Sequence, residues 1–273
     1  MIPLQCPVRG CGQPLERGEA SWQCRARHQF DVARSGYVNL LQPQDRRSTA
    51  AGDARAAIEA RAALLAAGIG RTILDAAVRT AADVPFLDDS VVVDLGCGSG
   101  ELLGSLATSR PITGIGIDLS TVAAARAARA FPPLTWVVAN ADRRLPITDA
   151  SVALATSMHG RRNPAECRRL LRDDGYLLVV VPASDDLIEL REHVLGERIE
   201  RDRSDAVIAE HAPRFSLVSR SIARERHRLE GGALAQLLRG TYRGARLRQA
   251  RTSDTLPAFE VTLASDLLLF RAS

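Results

Sequence analysis

The sequence predicts an α/β protein with a doubly wound, mostly parallel sheet, preceded by a small cysteine-rich ribbon. Three observations carry that reading. Apolar strand-like runs alternate with helical segments from about residue 90 to 182, the pattern of parallel strands joined by crossover helices. The run "VVVDL" is followed at once by the glycine turn "GCGSG". Cys6, Cys11, Cys24 and His28 crowd into the first 28 residues, where turn formers and arginines replace any core-forming pattern.

Taken in order, residues 1–40 contain the short strand-like pieces "ASWQC" and "HQFDV" and form the ribbon. Residues 41–56, with "QPQDRRSTAAGD", form a polar connector, and residues 57–273 the large domain. "ARAAIEARAALLAAGIGRTILDAAVRTAA" has helical periodicity broken at Gly68 and Gly70. "SVVVDL" is a buried strand, "ITGIGIDLS" a second ending in an acid, "VAAARAARAF" a helix and "LTWVVANADRRLP" a third strand. "ASVALATSM" is the fourth strand, "PAECRRLLRDDG" a helix closed by Gly175, and "YLLVVVPA" the fifth. Residues 185–215 are charged and helical. "FSLVSRSIARERHRL" and "FEVTLASDLLLFRA" are closing strands around the helix "GGALAQLLRGTY".

The 273 residues, 46% hydrophobic and 25% charged, give ample length for a buried core. No apolar run reaches the roughly 20 residues of a membrane span. No basic start with an apolar stretch opens the chain, so a cytoplasmic location is expected. Three clustered cysteines beside a histidine favour metal over disulfides in that compartment. All 36 basic residues are arginine, and the net charge is +4. Residues 220–251 hold nine arginines against Glu225 and Glu230, and residues 1–61 hold nine against six acids. Basic ends around a mildly acidic middle make a footprint for a polyanion; a solvated helical face is the alternative.

"VVVDLGCGSG" sets Asp94 near the end of a strand before Gly96, Gly98 and Gly100, at the sheet edge where open α/β folds bind ligands. Asp118 ends the second strand, placed to accept hydrogen bonds from ribose hydroxyls. Asn140 and Asp142 end the third, near the expected adenine. The set D-x-G-x-G-x-G, an acid after strand two and a polar residue after strand three resembles the class I methyltransferases. The resemblance implies a Rossmann-like seven-stranded sheet that binds S-adenosyl-L-methionine (SAM). Cys97, inside the loop, reads as packing.

Cys6-x4-Cys11 and Cys24-x3-His28 place four soft or borderline ligands on two knuckles, a Cys3His set for a structural Zn2+ with no open position for water. The metal would hold a segment too small for its own core; unligated packed cysteines are the alternative.

The ribbon, then "FDVARSGYVNLL", then the glycine loop is similar in order to the RlmA/TlrB-type 23S rRNA (guanine-N1)-methyltransferases, over nearly the whole chain. "RNPAECRRLLRDDGYLLVVVP" also looks like that family's stretch around its fifth strand. The resemblance implies methylation of a guanine N1 in a ribosomal RNA hairpin beside the peptide exit tunnel, linked in some antibiotic producers to macrolide resistance. It maps Cys6, Cys11, Cys24 and His28 onto the zinc ligands, and Asp94, Gly96, Gly98, Gly100, Asp118 and Asn140 onto the SAM site. Two departures fall on the substrate side. After the fourth strand the family carries an aromatic-Ala-Pro step, where this chain has His159-Gly160-Arg161. Near the C-terminus the family shows a proline and then a tryptophan, where this chain has "LRGTYRGARL".

His159 is the candidate base or stacking group, and Arg161 with Arg162 a candidate phosphate or carboxylate clamp. Trp22 and Tyr37 are the candidate base-stacking residues, and Arg9, Arg17, Arg25 and Arg27 face the RNA backbone. A small-molecule acceptor, a catalytically lapsed SAM-binding protein and a homodimer are the further readings that the sequence leaves open.

Overall fold

Three short antiparallel strands open the chain: Glu16–Arg17 (β1), Ser21–Gln23 (β2) and Gln29–Asp31 (β3). Tight turns at Gly10 and Gly12, both with positive φ, shape the ribbon. The structure, a computed structural model, describes residues 2–45, 52–195, 200, 202–240 and 257–273. The stretch "TYRGARL" and the arginines at 243, 246, 248 and 251 lie outside the described residues.

The next strand, Val38–Asn39 (β4), leaves the ribbon and joins the large sheet. A 3-10 turn at Pro43–Asp45 leads toward the helices Arg55–Ala66 (α1) and Arg71–Ala82 (α2). Gly70, with φ +92, makes the corner between those helices. The alternating core follows: Val91–Leu95 (β5), Glu101–Ser109 (α3), Thr113–Asp118 (β6), Thr121–Ala130 (α4), Thr135–Val138 (β7), Val152–Met158 (β8), Pro164–Leu170 (α5) and Leu171–Pro182 (β9). Ile188–Leu195 (α6), Ser204–His211 (α7), Phe215–Leu229 (β10), Gly231–Gly240 (α8) and Phe259–Ala272 (β11) complete the fold. None of these described helices is long and apolar enough to cross a membrane.

The sheet order is β10-β11-β9-β8-β5-β6-β7-β4, with only β11 antiparallel to its neighbours. The seven strands of the sequence reading are present, and β4 adds an eighth at the edge, parallel to β7 through Val38 and Val137. One boundary differs from the sequence reading. The helix that begins at Pro164, capped by Asn163 Oδ1 accepting from the Ala165 and Glu166 amides, ends at Leu170 rather than at Gly175. Leu171 is already extended and pairs with Val152, so Gly175 lies within β9. Buried leucines at both 170 and 171 fit the end of a helix as well as the start of a strand, and sheet pairing decides between them.

Strand alternation divides the core between two faces. Val92, Leu154 and Trp136 pack beneath α2, α3 and α4. Val93, Leu95, Ile115, Ile117 and Val137 form the other face, covered by Cys167 and Leu170 of α5 and by Leu4, Leu15 and Trp22 of the ribbon. The ribbon therefore shares the core of the sheet, each large buried side chain contributing about 1.5–3 kcal/mol relative to exposure. Backbone bonds fix the junction: Gln5 N donates to Pro146 O at 2.9 Å, Thr148 N to Pro3 O at 2.9 Å and Leu40 N to Val138 O at 3.0 Å. Beneath it, buried Glu166 accepts from Leu145 N at 2.6 Å and pairs with Arg169, which donates to Ile147 O at 2.8 Å.

Candidate functional site: a metal knuckle pair and a glycine-loop cofactor edge

In the ribbon, Cys11 N donates to Val8 O at 2.9 Å and Arg27 N to Cys24 O at 2.9 Å, closing the two knuckle turns. Gln13 Oε1 accepts from Ala26 N at 3.0 Å and ties one knuckle to the other. Cys6 Sγ lies 3.4 Å from His28 Nδ1, Cys24 Sγ 3.5 Å from the same nitrogen, and Cys11 Sγ 3.8 Å from Cys24 Sγ. All four donor atoms fall within 4.8 Å of one another. A tetrahedral zinc with bonds of about 2.3 Å to sulfur and about 2.0 Å to nitrogen separates its ligands by nearly these amounts. A disulfide would need about 2.05 Å. The donor set fits zinc, with no fifth group among the described residues.

At the C-terminal edge of the sheet, Asp94 is almost fully buried and its Oδ1 accepts from Thr156 Oγ1 at 2.7 Å. Burial pushes its pKa up to about 7, against the pull of the Thr156 bond and with help from the charges of Asp118 and Glu101. Gly96, Gly98 and Gly100 all have positive φ. A Cβ at Gly100 would lie 2.5 Å from the Trp136 ring, so this position needs glycine on both counts. Asp118 accepts from Gly98 N at 2.9 Å and Ser120 N at 2.7 Å, and burial raises its pKa. The acid of the second strand thus holds the glycine loop in shape while its remaining lone pairs face the edge.

Asn140 accepts from Asp142 N at 3.0 Å and donates to Asp45 O at 2.9 Å. Ser120 Oγ donates to Asp53 O at 3.1 Å. Asp45 and Asp53, on the described parts of the connector, are therefore both tied to this sheet edge. Arg61 of α1 pairs there with Asp53, donates to Gly240 O at 3.0 Å, and sets a positive charge near Glu101, Asp118 and His159.

The substrate-side triplet packs on the glycine loop. A Cβ on Gly160 would lie 2.6 Å from Leu95 O and 3.3 Å from Gly96 Cα. His159 is held in the left-handed region at φ +54, with Nε2 2.9 Å from Ser265 Oγ. The residue as a whole is exposed to solvent. The surrounding protein, and then the Arg61 charge, lower its pKa to about 4, so the imidazole is neutral at pH 7. Arg161 Nε lies 3.1 Å from Asp142 Oδ2, which brings a proposed substrate clamp and a proposed cofactor group into one ion pair.

Arg162 turns elsewhere: its charge is felt by Glu210 and Cys167, on the α5–α7 side, so it does not join the clamp. Trp22 is buried in the core with Arg17 over its ring, which removes it as a stacking platform; Tyr37 remains half-buried. Arg9, Arg17, Arg25 and Arg27 are all exposed. Thr156, Ser265 and Arg61 were not singled out from the sequence. A threonine and a serine inside otherwise apolar strands were the signal for the first two.

With that geometry, the comparisons are unambiguous. The RlmA N-terminal zinc-ribbon family matches residues 4–49, and a methyltransferase-domain family matches residues 92–175. The chain is 38% identical over 240 residues to the 23S rRNA (guanine(748)-N(1))-methyltransferase of Streptomyces fradiae, covering 86% of this chain and 83% of that protein. The chain belongs to the RlmA-type 23S rRNA (guanine-N1)-methyltransferase family. A provisionally named member from Bacillus subtilis is 32% identical over 213 residues, covering 76% of this chain and 74% of that protein. Among solved structures, the YcgJ protein of Bacillus subtilis aligns at TM-score 0.51 and 14% identity, covering 72% of this chain and 98% of that one. A methyltransferase solved with the Haloferax volcanii Trm112 activator aligns at 0.52 and 21%, covering 80% and 97%. Those two likenesses speak for the fold alone. As an RlmA-type methyltransferase, the protein uses SAM as methyl donor and carries a structural zinc ribbon.

Proposed function

We propose that this RlmA-type enzyme methylates N1 of a guanine in 23S rRNA. The observation that carries the reading is the ribbon built into the methyltransferase sheet through β4, in a chain 38% identical to an enzyme named for that reaction. Residues 1–40 act as the zinc ribbon, 41–56 as connector and 57–273 as the methyltransferase domain, in the cytoplasm with the ribosomal RNA.

Cys6, Cys11, Cys24 and His28 hold the zinc. Bound SAM supplies an electrophilic methyl group on a positively charged sulfur. Asp94 would face its amino-acid end, Gly96, Gly98 and Gly100 would let the backbone approach, Asp118 would accept from the ribose hydroxyls, and Asn140 with Asp142 would border the adenine. His159, neutral and only weakly basic, would orient the acceptor base, whose N1 proton passes to bulk water as the methyl replaces it, and the Arg161–Asp142 pair borders the same mouth. The chain's work is positioning, and a base inside a hairpin must be extruded to reach the methyl group.

The test is labelled SAM with 23S rRNA transcripts and with cell extract, followed by location of the label. Methyl on a guanine N1 supports the reading. Label only in small molecules points to an acceptor switch at His159-Gly160-Arg161, and no transfer to a lapsed enzyme. Raised macrolide resistance in an expressing strain would place the enzyme among the resistance methyltransferases.

A further inference from the structure

A polar crevice of about 290 Å³ lies between α1 and α4. Arg55, Arg126 and Arg129 converge on it with one carboxylate, Glu59, and with Tyr37. Arg55 and Glu59 stand 3.6 Å apart with both side chains more than half exposed, a pairing of little energy. Arg126 and Arg129 share one face of α4 at i, i+3, are exposed, and make no ion pair within 4 Å among the described residues. Tyr37 arrives from the ribbon side. The turn before it has Gly36 at φ +100, where a Cβ would lie 3.4 Å from Ala128 Cβ, so the turn docks on α4 itself. The segment Ala33–Leu40 thus wraps the β4 edge of the sheet and carries an aromatic ring from the ribbon face to the helix face.

We propose that this crevice binds the RNA strand, its arginines holding a phosphodiester group while Tyr37 stacks a neighbouring base. Two exposed guanidiniums without a close ion pair among the described residues and a third weakly paired one match an anion, and a half-buried ring beside them matches a flat base. Because the same wrapped segment leads back to the ribbon arginines, the strand follows the β4 edge from ribbon to crevice. The inference rests on the rRNA reading above.

The test measures affinity of the full-length, zinc-loaded protein for a 23S domain II hairpin transcript across a salt series, with SAM binding followed by calorimetry. Arg126→Gln/Arg129→Gln is expected to weaken RNA binding about tenfold or more at low salt and to flatten the log–log salt slope by roughly 0.7, for one single-strand phosphate. SAM affinity and Tm stay unchanged, and Tyr37→Leu weakens binding while keeping the slope. Unchanged RNA affinity and slope in the double variant overturn the proposal. So does saturable binding of free GMP that needs these arginines while RNA binding does not. A wild-type protein with no affinity for the transcript overturns the rRNA reading first, so the two failures are told apart.

Discussion

His159 Nε2 and Ser265 Oγ lie 2.9 Å apart, joining the loop after the fourth parallel strand to the antiparallel strand β11. This bond holds a non-glycine residue in the left-handed region, φ +54, directly over the glycine loop. His159→Asn keeps a residue tolerant of that backbone and removes the imidazole. It is expected to lower kcat about tenfold or more with SAM affinity within about twofold of wild type. Because the His159 pKa is lowered to about 4, the wild-type kcat profile should show no histidine step between pH 6 and 8. A step near 6.5 that vanishes in His159→Asn would make the residue a proton carrier instead.

The acids of the cofactor edge oppose the free protein's stability. Asp94 is raised to about 7, and Glu101 and Asp118 are raised too, in each case chiefly by burial. A folded pKa above the unfolded value stabilises fully below the unfolded pKa, near 4, and that contribution is lost as pH rises through the folded one. The SAM-free protein should therefore lose stability from these groups between about pH 4 and 7. Asp94→Asn is expected to stabilise it at pH 8 by on the order of 2 kcal/mol while abolishing SAM binding. Thermal melts across pH, paired with calorimetry, check both halves. A destabilised variant at pH 8 would contradict the burial argument.

Gly160 has room for no side chain, since its Cβ would meet the Leu95 carbonyl at 2.6 Å. Gly160→Ala must displace either the end of β5 or the 159–161 loop, at about 1–3 kcal/mol. The expected result is a folded protein by circular dichroism whose SAM affinity falls at least about tenfold, because Leu95 and Gly96, the entry to the glycine loop, are what the new methyl meets.

Zinc removal should reach far beyond the ribbon. Leu4, Leu15 and Trp22 share the core face formed by Val93, Ile115 and Val137. Cys24→Ser, or a strong chelator, is expected to lower Tm by on the order of 10 °C and to weaken SAM binding together with it. Elemental analysis should give one zinc per chain in the wild type. A ribbon that unfolds alone, with the main transition unmoved, would show that the shared core contributes little.

Local spacing made most of this legible in the sequence. The glycine loop, the acids at the ends of β5 and β6, and the two knuckles each depend on neighbours within a few positions, and the strands from β5 to β8 appear where apolar runs predict them. Long-range pairing was not legible. Nothing local marks Val38–Asn39 as a strand, because two residues carry no period, and only β7 makes them one. The Arg161–Asp142 pair spans two connections, and Ser265 reaches His159 from 106 positions away in sequence. Trp22, a candidate for stacking or for the core by sequence, is buried by the methyltransferase sheet.

The strand Val38–Asn39 also constrains how such enzymes can diverge. It belongs to the N-terminal segment by sequence and to the large sheet by hydrogen bonding. Exchanging ribbons between relatives would replace an outer rung of the sheet along with them. A functional chimera would need the donor's Thr135–Val138 strand and the Leu145–Thr148 loop as well, so the inheritable unit is larger than the zinc-bound appendage.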